Sequence, residues 1–335
     1  MLYATQSQTN LTVVLQYQGL TELVLFSVLS TAPSCVFLFI NGTMLFILTS
    51  KPVFRETSRY ILLYNLLFAD TVLLAQSQLL YLLAACRIRL MYPVCGVLTM
   101  LASLTTVISP LMLVVMSLER YVAVCYPLRH ASIITVTKTR VAIIIVWACS
   151  SLYVLFCVLL MLRFPFEDLP TLQMTDFCGK ESMLLDPMSD LYDKALTCFV
   201  FVSAGVAVSF SYVAVTVAAR SASTNKASAR KARNTLLLHV VQLGLSLSST
   251  IHNPLLIAIA KLLDRKILVR IQIVFYVCII ILPRCLSALI YGIRDQNIRP
   301  LLMYNLCCQC RRSPFVSMMP AKKKSQNRSS LNVII

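Results

Sequence analysis

Charge is scarce in this chain. Charged residues make up 13% of its 335 positions, and only 13 residues are acidic; an ordinary soluble domain carries about 25% charge. Hydrophobic residues reach 58% and the mean hydropathy is +0.79. A soluble fold cannot hide that much apolar surface, so lipid is the expected solvent for much of the chain. Glycine is also scarce, at seven, and no Gly-rich phosphate loop is present. No metal-ligand spacing and no nucleophile–base set stands in the sequence, so no enzyme, metal or cofactor is expected. Internal repeats and inverted pseudo-symmetry are missing too, which counts against a transporter. A transporter or channel would declare itself by ligand-dependent flux. The first 20 residues lack a basic stretch followed by an apolar core, so no cleavable signal peptide is expected and the first helix is its own insertion signal.

What the chain has in abundance is long apolar runs. A bilayer core about 30 Å thick needs about 20 apolar residues in a helix. Seven runs qualify: 23–49, 60–85, 91–118, 141–162, 195–219, 235–260 and 271–293. They are apolar nearly all round, unlike the striped helices of a soluble bundle, and too long for barrel strands of about 9–11 residues. The expected fold is an all-α membrane protein, a seven-transmembrane helix bundle. Residues 1–22 form an extracellular N-terminus, 23–293 the membrane domain, and 294–335 a cytoplasmic helix and tail, with a short amphipathic helix after the seventh span.

Basic residues fix the orientation. Of the 30 Lys and Arg residues, 20 cluster in alternate connections, at the inner end of the third run or in the tail, among them Lys51, Arg55, Arg59, Arg129, Lys138, Arg140, Arg230, Lys231 and Arg299. Basic loops stay cytoplasmic, which puts the N-terminus outside and the C-terminus inside. The net charge of +17 then reflects topology and the anionic inner leaflet. Nucleic acid is not an expected partner, because that reading needs a soluble basic face; membrane lipid is. The second outer loop, 163–194, is acidic and reads as a solvated lid, with a lid that selects cationic ligands as the alternative.

The 13 cysteines sort by location, and most are small apolar fillers in membrane runs. Cys95 and Cys178 fall on the outer, oxidising side. A Cys95–Cys178 disulfide is the expected tie, with Cys86 and Cys198 as nearby competitors. Cys307, Cys308 and Cys310 follow the last span on the inner side, where palmitoylation is one reading and free thiols the other. Asn10-Leu11-Thr12 is an outer glycosylation sequon.

Ionisable residues inside the membrane are functional by default, and few exist. Asp70 in the second run and Arg284 in the seventh lie at similar depth with opposite charge. Asn41 and Ser109 come close to the same level, so a polar layer crosses the bundle on the inner side of centre. At the inner end of the third run stands Met-Ser-Leu-Glu-Arg-Tyr-Val-Ala-Val-Cys-Tyr-Pro-Leu, 116–128. Adjacent Glu119 and Arg120 do not face each other as helical i, i+4 partners do. Such an arginine can alternate between its neighbouring acid and groups on other helices, a two-state element.

These residues carry a resemblance. The chain resembles the rhodopsin-like, class A G-protein-coupled receptors from about residue 23 to 310, and within them the odorant receptors, most closely the teleost type. Glu119-Arg120-Tyr121 stands where that family has its D/E-R-Y motif. Asn41, the stretch from Asn65 to Asp70, Trp147, Tyr212 and Tyr291 resemble the family's helix signatures, and Lys231, Thr235 and His239 resemble its sixth-helix run. Cys95 precedes Arg120 by the family's spacing for its disulfide cysteine. Three features depart: Ser287-Ala288 replaces the usual Asn-Pro before Tyr291, the fifth-helix proline is absent with Ala204 in its place, and the sixth helix has no acid at its inner end. Pro283, one turn earlier, is the substitute kink.

The resemblance implies an odorant receptor, not an enzyme, at the plasma membrane of olfactory sensory cilia. It implies a small-molecule odorant in the outer half of the bundle and a heterotrimeric G protein of the stimulatory type inside. A non-olfactory receptor for a peptide or lipid is the alternative. Switch residues would be Glu119, Arg120, Tyr121, Tyr212 and Tyr291; candidate ligand contacts are Ser103, Thr106, Phe199, His252 and Tyr276. In many relatives the Asp70 level holds a sodium ion. Arg284 is expected either to stand in for it by pairing with Asp70, or to point outward and hold an acidic odorant.

Overall fold

In a computed structural model the described residues are 20–162, 173–174, 178–179, 183, 187–221, 226–250, 259, 267, 271, 274–295 and 297–310. They form a helical membrane bundle. We label the long helices α1 (Leu20–Ser50), α2 (Ser58–Ala85), α3 (Tyr92–Cys125), α4 (Val136–Leu162), α5 (Pro187–Ser221) and α6 (Lys226–Thr250). α7 (Leu282–Arg294) follows directly on a π-helical turn, Tyr276–Ile281, and α8 (Ile298–Cys310) comes last. Five stretches, Val24–Ser50, Ser58–Ala85, Tyr92–Cys125, Val136–Leu162 and Leu191–Ala218, are long and apolar enough to cross a membrane.

Several helices outrun their apolar stretches. α3 continues through Glu119 and Arg120 to Cys125, and α6 begins at Lys226. An apolar run measures only the part of a helix in lipid; the backbone pattern continues beyond it into the cytoplasmic interface. α5 likewise starts at Pro187 and takes in Asp193, which is buried. That corrects the reading of Asp193 as part of a solvated acidic lid.

α3 is the central strut and packs on α2, α4, α5 and α6; α7 packs on α1, α2 and α6. Their shared core includes Met44, Leu63, Leu66, Leu67, Met112 and Leu113, all buried. The opposite faces are apolar and open: Ile144, Leu152 and Leu159 on α4, Val206 and Phe210 on α5. Patches of that size in water mark a binding or membrane surface, and here the pattern runs along whole helices, so lipid covers it.

Two local features shape the seventh span. Pro283 has no N–H and its ring crowds the carbonyl one turn back. The π turn sits immediately before it, with Leu282 N–H reaching Val277 O; π-bulges and prolines are the usual causes of a helix kink. After α7 the chain turns at Asp295, and α8 packs against α7 and α1. Gly292 permits this, because a Cβ there would collide with Leu302 of α8 and press on Met44 of α1.

Candidate functional site

The intramembrane polar layer assembles from four helices. Ser109 Oγ of α3 donates to Asp70 Oδ1 of α2 at 2.7 Å. Arg284 Nη1 of α7 lies 3.6 Å from the same oxygen. Asn41 Nδ2 of α1 donates to the Arg284 carbonyl at 3.2 Å. All four residues are at most 4% exposed. Of the two expectations for Arg284, the guanidinium is turned toward Asp70. Arg284, Ala288 and Tyr291 are buried along one face of α7, as their i, i+4, i+7 spacing requires. The Ser287 side chain lies outside the described residues.

A second level lies at the inner mouth. Arg120 Nε and Glu119 Oε2 are 2.9 Å apart; adjacency in sequence leaves the two long side chains free to curl into contact beyond the last core layer. Glu119 Oε1 also faces His130 Nε2 at 3.8 Å. Tyr121 stacks edge-on to Tyr126 and meets Phe210 of α5. Tyr212 is half-buried on α5, and Glu119 rather than Tyr212 is the close partner of Arg120. His239 Nε2 of α6 lies 2.5 Å from the Tyr291 hydroxyl, so Tyr291 bridges α7 to α6.

Sequence reasoning missed the cluster beside it. Arg59 of α2 pairs with Asp295 at 2.9 Å, and its guanidinium lies against the rings of Tyr60 and Tyr291. Tyr60 donates to Asp295 at 3.2 Å. Asp295 Oδ1 accepts the N–H groups of Asn297 and Ile298, a side-chain cap on α8. An aspartate three residues before an apolar helix start was the available signal; Arg59 had read only as a loop charge.

The proposed ligand contacts separate. Ser103 is buried on α3, its hydroxyl without a hydrogen-bond partner among the described residues. Thr106 is half-buried one turn below. Phe199 is a correction: it is 68% exposed on the outer face of α5 and points at lipid, because the buried face of that helix is carried by Thr197, Phe201 and Ala204. Tyr276, on the π turn that leads into α7, faces α2. Its hydroxyl donates to Gln78 of α2 at 3.3 Å and its ring stacks on Tyr81, so it ties α7 to α2. Gln78 further accepts from Ser34 and donates to Thr31 of α1. His252 lies outside the described residues. Another unforeseen contact is Tyr153 of α4 donating to Asp193 of α5 at 2.5 Å, the partner that lets a carboxylate sit buried there.

On the outer side Cys95 and Cys178 are bonded, and Cys86 and Cys198 are free. Met91 and Gln173 form an antiparallel bridge, reinforced by Met174 N–H to Leu90 O, which seats the loop on the mouth of α3. Asn10 and the side chains of Cys307, Cys308 and Cys310 lie outside the described residues. Among the described residues no group of His, Cys, Asp and Glu could hold a metal ion.

The sequence pattern of the family described as 7 transmembrane receptor (rhodopsin family) matches residues 40–291. The chain is similar to Odorant receptor 131-2 of Danio rerio, 32% identical over 278 residues that cover 82% of this chain and 83% of the relative. It is also similar to Olfactory receptor 2A1/2A42 of Homo sapiens, 33% identical over 148 residues, 42% of this chain and 46% of the relative.

Proposed function

The chain belongs to the rhodopsin family of seven-transmembrane receptors, and from that premise we propose that it is an odorant receptor acting through a heterotrimeric G protein. The observation that carries the signalling role is the Glu119–Arg120 pair, 2.9 Å apart at the inner end of the central helix. Beside it the second inner loop holds Leu128 fully exposed, an apolar knob on a face that otherwise presents Arg129, Lys138 and Arg140. The odorant role is supported by the likeness to Odorant receptor 131-2 of Danio rerio.

A small odorant enters the outer half of the bundle and meets Ser103, whose buried hydroxyl offers both a donor and an acceptor. It favours an arrangement in which the inner end of α6 moves outward and His239 parts from Tyr291. Arg120 then leaves Glu119 and, with the second inner loop, receives the G protein, of the stimulatory class that raises cAMP. The ligand can drive this only by binding the two arrangements unequally. Olfactory sensory cilia are the expected location.

An odorant panel on transfected cells with a cAMP readout tests the proposal. Responses are expected from the wild type and absent in Arg120→Ala at equal surface expression. A response that survives Arg120→Ala, or a transcript missing from olfactory epithelium, refutes it.

A further inference from the structure

We propose that His130 is a positioning residue for the Arg120 switch: it engages the second oxygen of Glu119 and so sets how firmly that carboxylate restrains Arg120. The inference rests on the coupling role proposed above for Arg120. The second inner loop makes a 3-10 turn at Pro127–Arg129 and then a short helix, His130–Ile133. The turn folds the loop back under α3 and brings His130 Nε2 to 3.8 Å from Glu119 Oε1. The other oxygen, Oε2, is the one that holds Arg120 Nε at 2.9 Å. One carboxylate thus stands between two nitrogen groups, one oxygen to each.

The arrangement is unfinished. His130 Nε2 and Arg120 Nη2 are both buried atoms without a hydrogen-bond partner among the described residues, and such orphans call for a physical account. A carboxylate that shifts by about an ångström between the two supplies it, since hydrogen bonds need about 2.7–3.2 Å. Moving toward His130 completes one bond and lengthens the other. Among the described residues, other charged or titratable groups near the pair are Tyr121, Cys125 and Tyr126 at the end of α3, Arg129 beside His130, His239 of α6, which feels the Arg120 charge, and Lys138 of α4, whose ammonium donates to Ser132 O. Glu119 is the acid among them. Histidine changes charge between about pH 5 and 8. The imidazolium draws Glu119 more strongly than the imidazole, so coupling is stronger with the ring charged, the form that acid favours.

The test uses the full chain in lipid nanodiscs with a purified stimulatory G-protein heterotrimer and no added odorant. Nucleotide exchange is read at about pH 6, 7 and 8 for the wild type, His130→Gln, His130→Arg, Glu119→Gln, the double variant Glu119→Gln with His130→Gln, and Arg120→Ala. The Arg120-dependent part of the wild-type exchange is expected to rise about two- to fivefold from pH 8 to pH 6, the size of a partly exposed ion pair. His130→Gln gives a flat, low profile and His130→Arg a flat, high one. In the Glu119→Gln background the His130 change has no further effect. Equal pH profiles for the wild type and His130→Gln overturn the role of His130 and leave Arg120 coupling standing. A full His130→Gln effect without Glu119 overturns it equally. A wild type with no Arg120-dependent exchange overturns the coupling reading and this inference together. If His130→Arg fails to fold, His130→Gln and the Glu119→Gln pair decide.

Discussion

Neutralising one member of the Asp70–Arg284 pair should cost more than neutralising both. Arg284 Nη1 and Asp70 Oδ1 are 3.6 Å apart, with side chains only 5% and 1% exposed. At an effective dielectric of about 20, a pair at that distance interacts with about 4–5 kcal/mol. Stripping one partner from a buried pair is measured at ~3–5 kcal/mol, because an uncompensated charge is left behind. The two single changes differ within that range. Arg284→Gln leaves Asp70 with the Ser109 hydroxyl and free to take up a proton, so it falls at the lower end. Asp70→Asn leaves a guanidinium in the layer, and arginine cannot shed its proton, so it falls at the upper end. In the double variant no ion is buried, and replacing both members of such a pair is often neutral. Surface expression of a tagged receptor and thermal inactivation of the purified protein read the cycle. Recovery of most of the loss is expected. Losses that simply add, within about 0.5 kcal/mol, refute the pairing.

Three further outcomes follow from the geometry. Cys95→Ser opens a tie across 83 residues, a loss of about 4–5 kcal/mol by loop entropy; surface expression should fall sharply, and peptide mapping of the wild type should link Cys95 to Cys178 rather than to Cys86 or Cys198. Asp295→Asn gives up the 2.9 Å contact with Arg59 and weakens the cap on α8, at about 1–3 kcal/mol for a charged hydrogen-bonding group; amide hydrogen exchange should accelerate across 298–310 and stay unchanged in α4. Phe199→Ala, on the lipid face, should leave the odorant dose–response within about twofold, whereas Ser103→Ala should shift it by about three- to tenfold if the hydroxyl bonds the odorant.

How much of this was legible in the sequence depends on which property a residue advertises. The bundle was readable because apolar length and basic loops are averages over 20 or more positions. Asp70 and Arg284 were readable because a charge inside an apolar run stands out against that average, and matching depth on two helices needs only a count from the inner ends. Phe199 failed for the reason those succeeded: α5 is apolar on both faces, so nothing in its pattern distinguishes the face toward Phe201 and Ala204 from the face toward lipid. The contact of Tyr276 with α2 was not legible because the π turn, with its i to i+5 bonds, shifts side chains out of the phase that a 3.6-residue period assigns. Asp295 and Arg59 are ordinary interfacial charges in sequence; their meeting depends on how the α7–α8 turn seats against the start of α2, which sequence periodicity does not encode.

The polar contacts of the seventh span fall on successive levels, three of them shared with α2 and one with α6. Tyr276 meets Gln78 of α2. Two turns on, Arg284 meets Asp70 of α2 and its carbonyl takes Asn41 of α1. Two turns further, Tyr291 meets His239 of α6, and one turn beyond that Asp295 holds Arg59. Arg284 and Tyr291, seven residues apart, share a face, so a rotation of α7 that frees Tyr291 from α6 also carries Arg284 across Asp70. The π turn with Pro283 lies just above Arg284, at the place where a helix bends most readily. The upper contact with Gln78 can therefore stay made while the lower ones exchange together. In the switch proposed above, a motion confined below the π turn would link the inner mouth to the intramembrane pair and leave the outer end of the span in register.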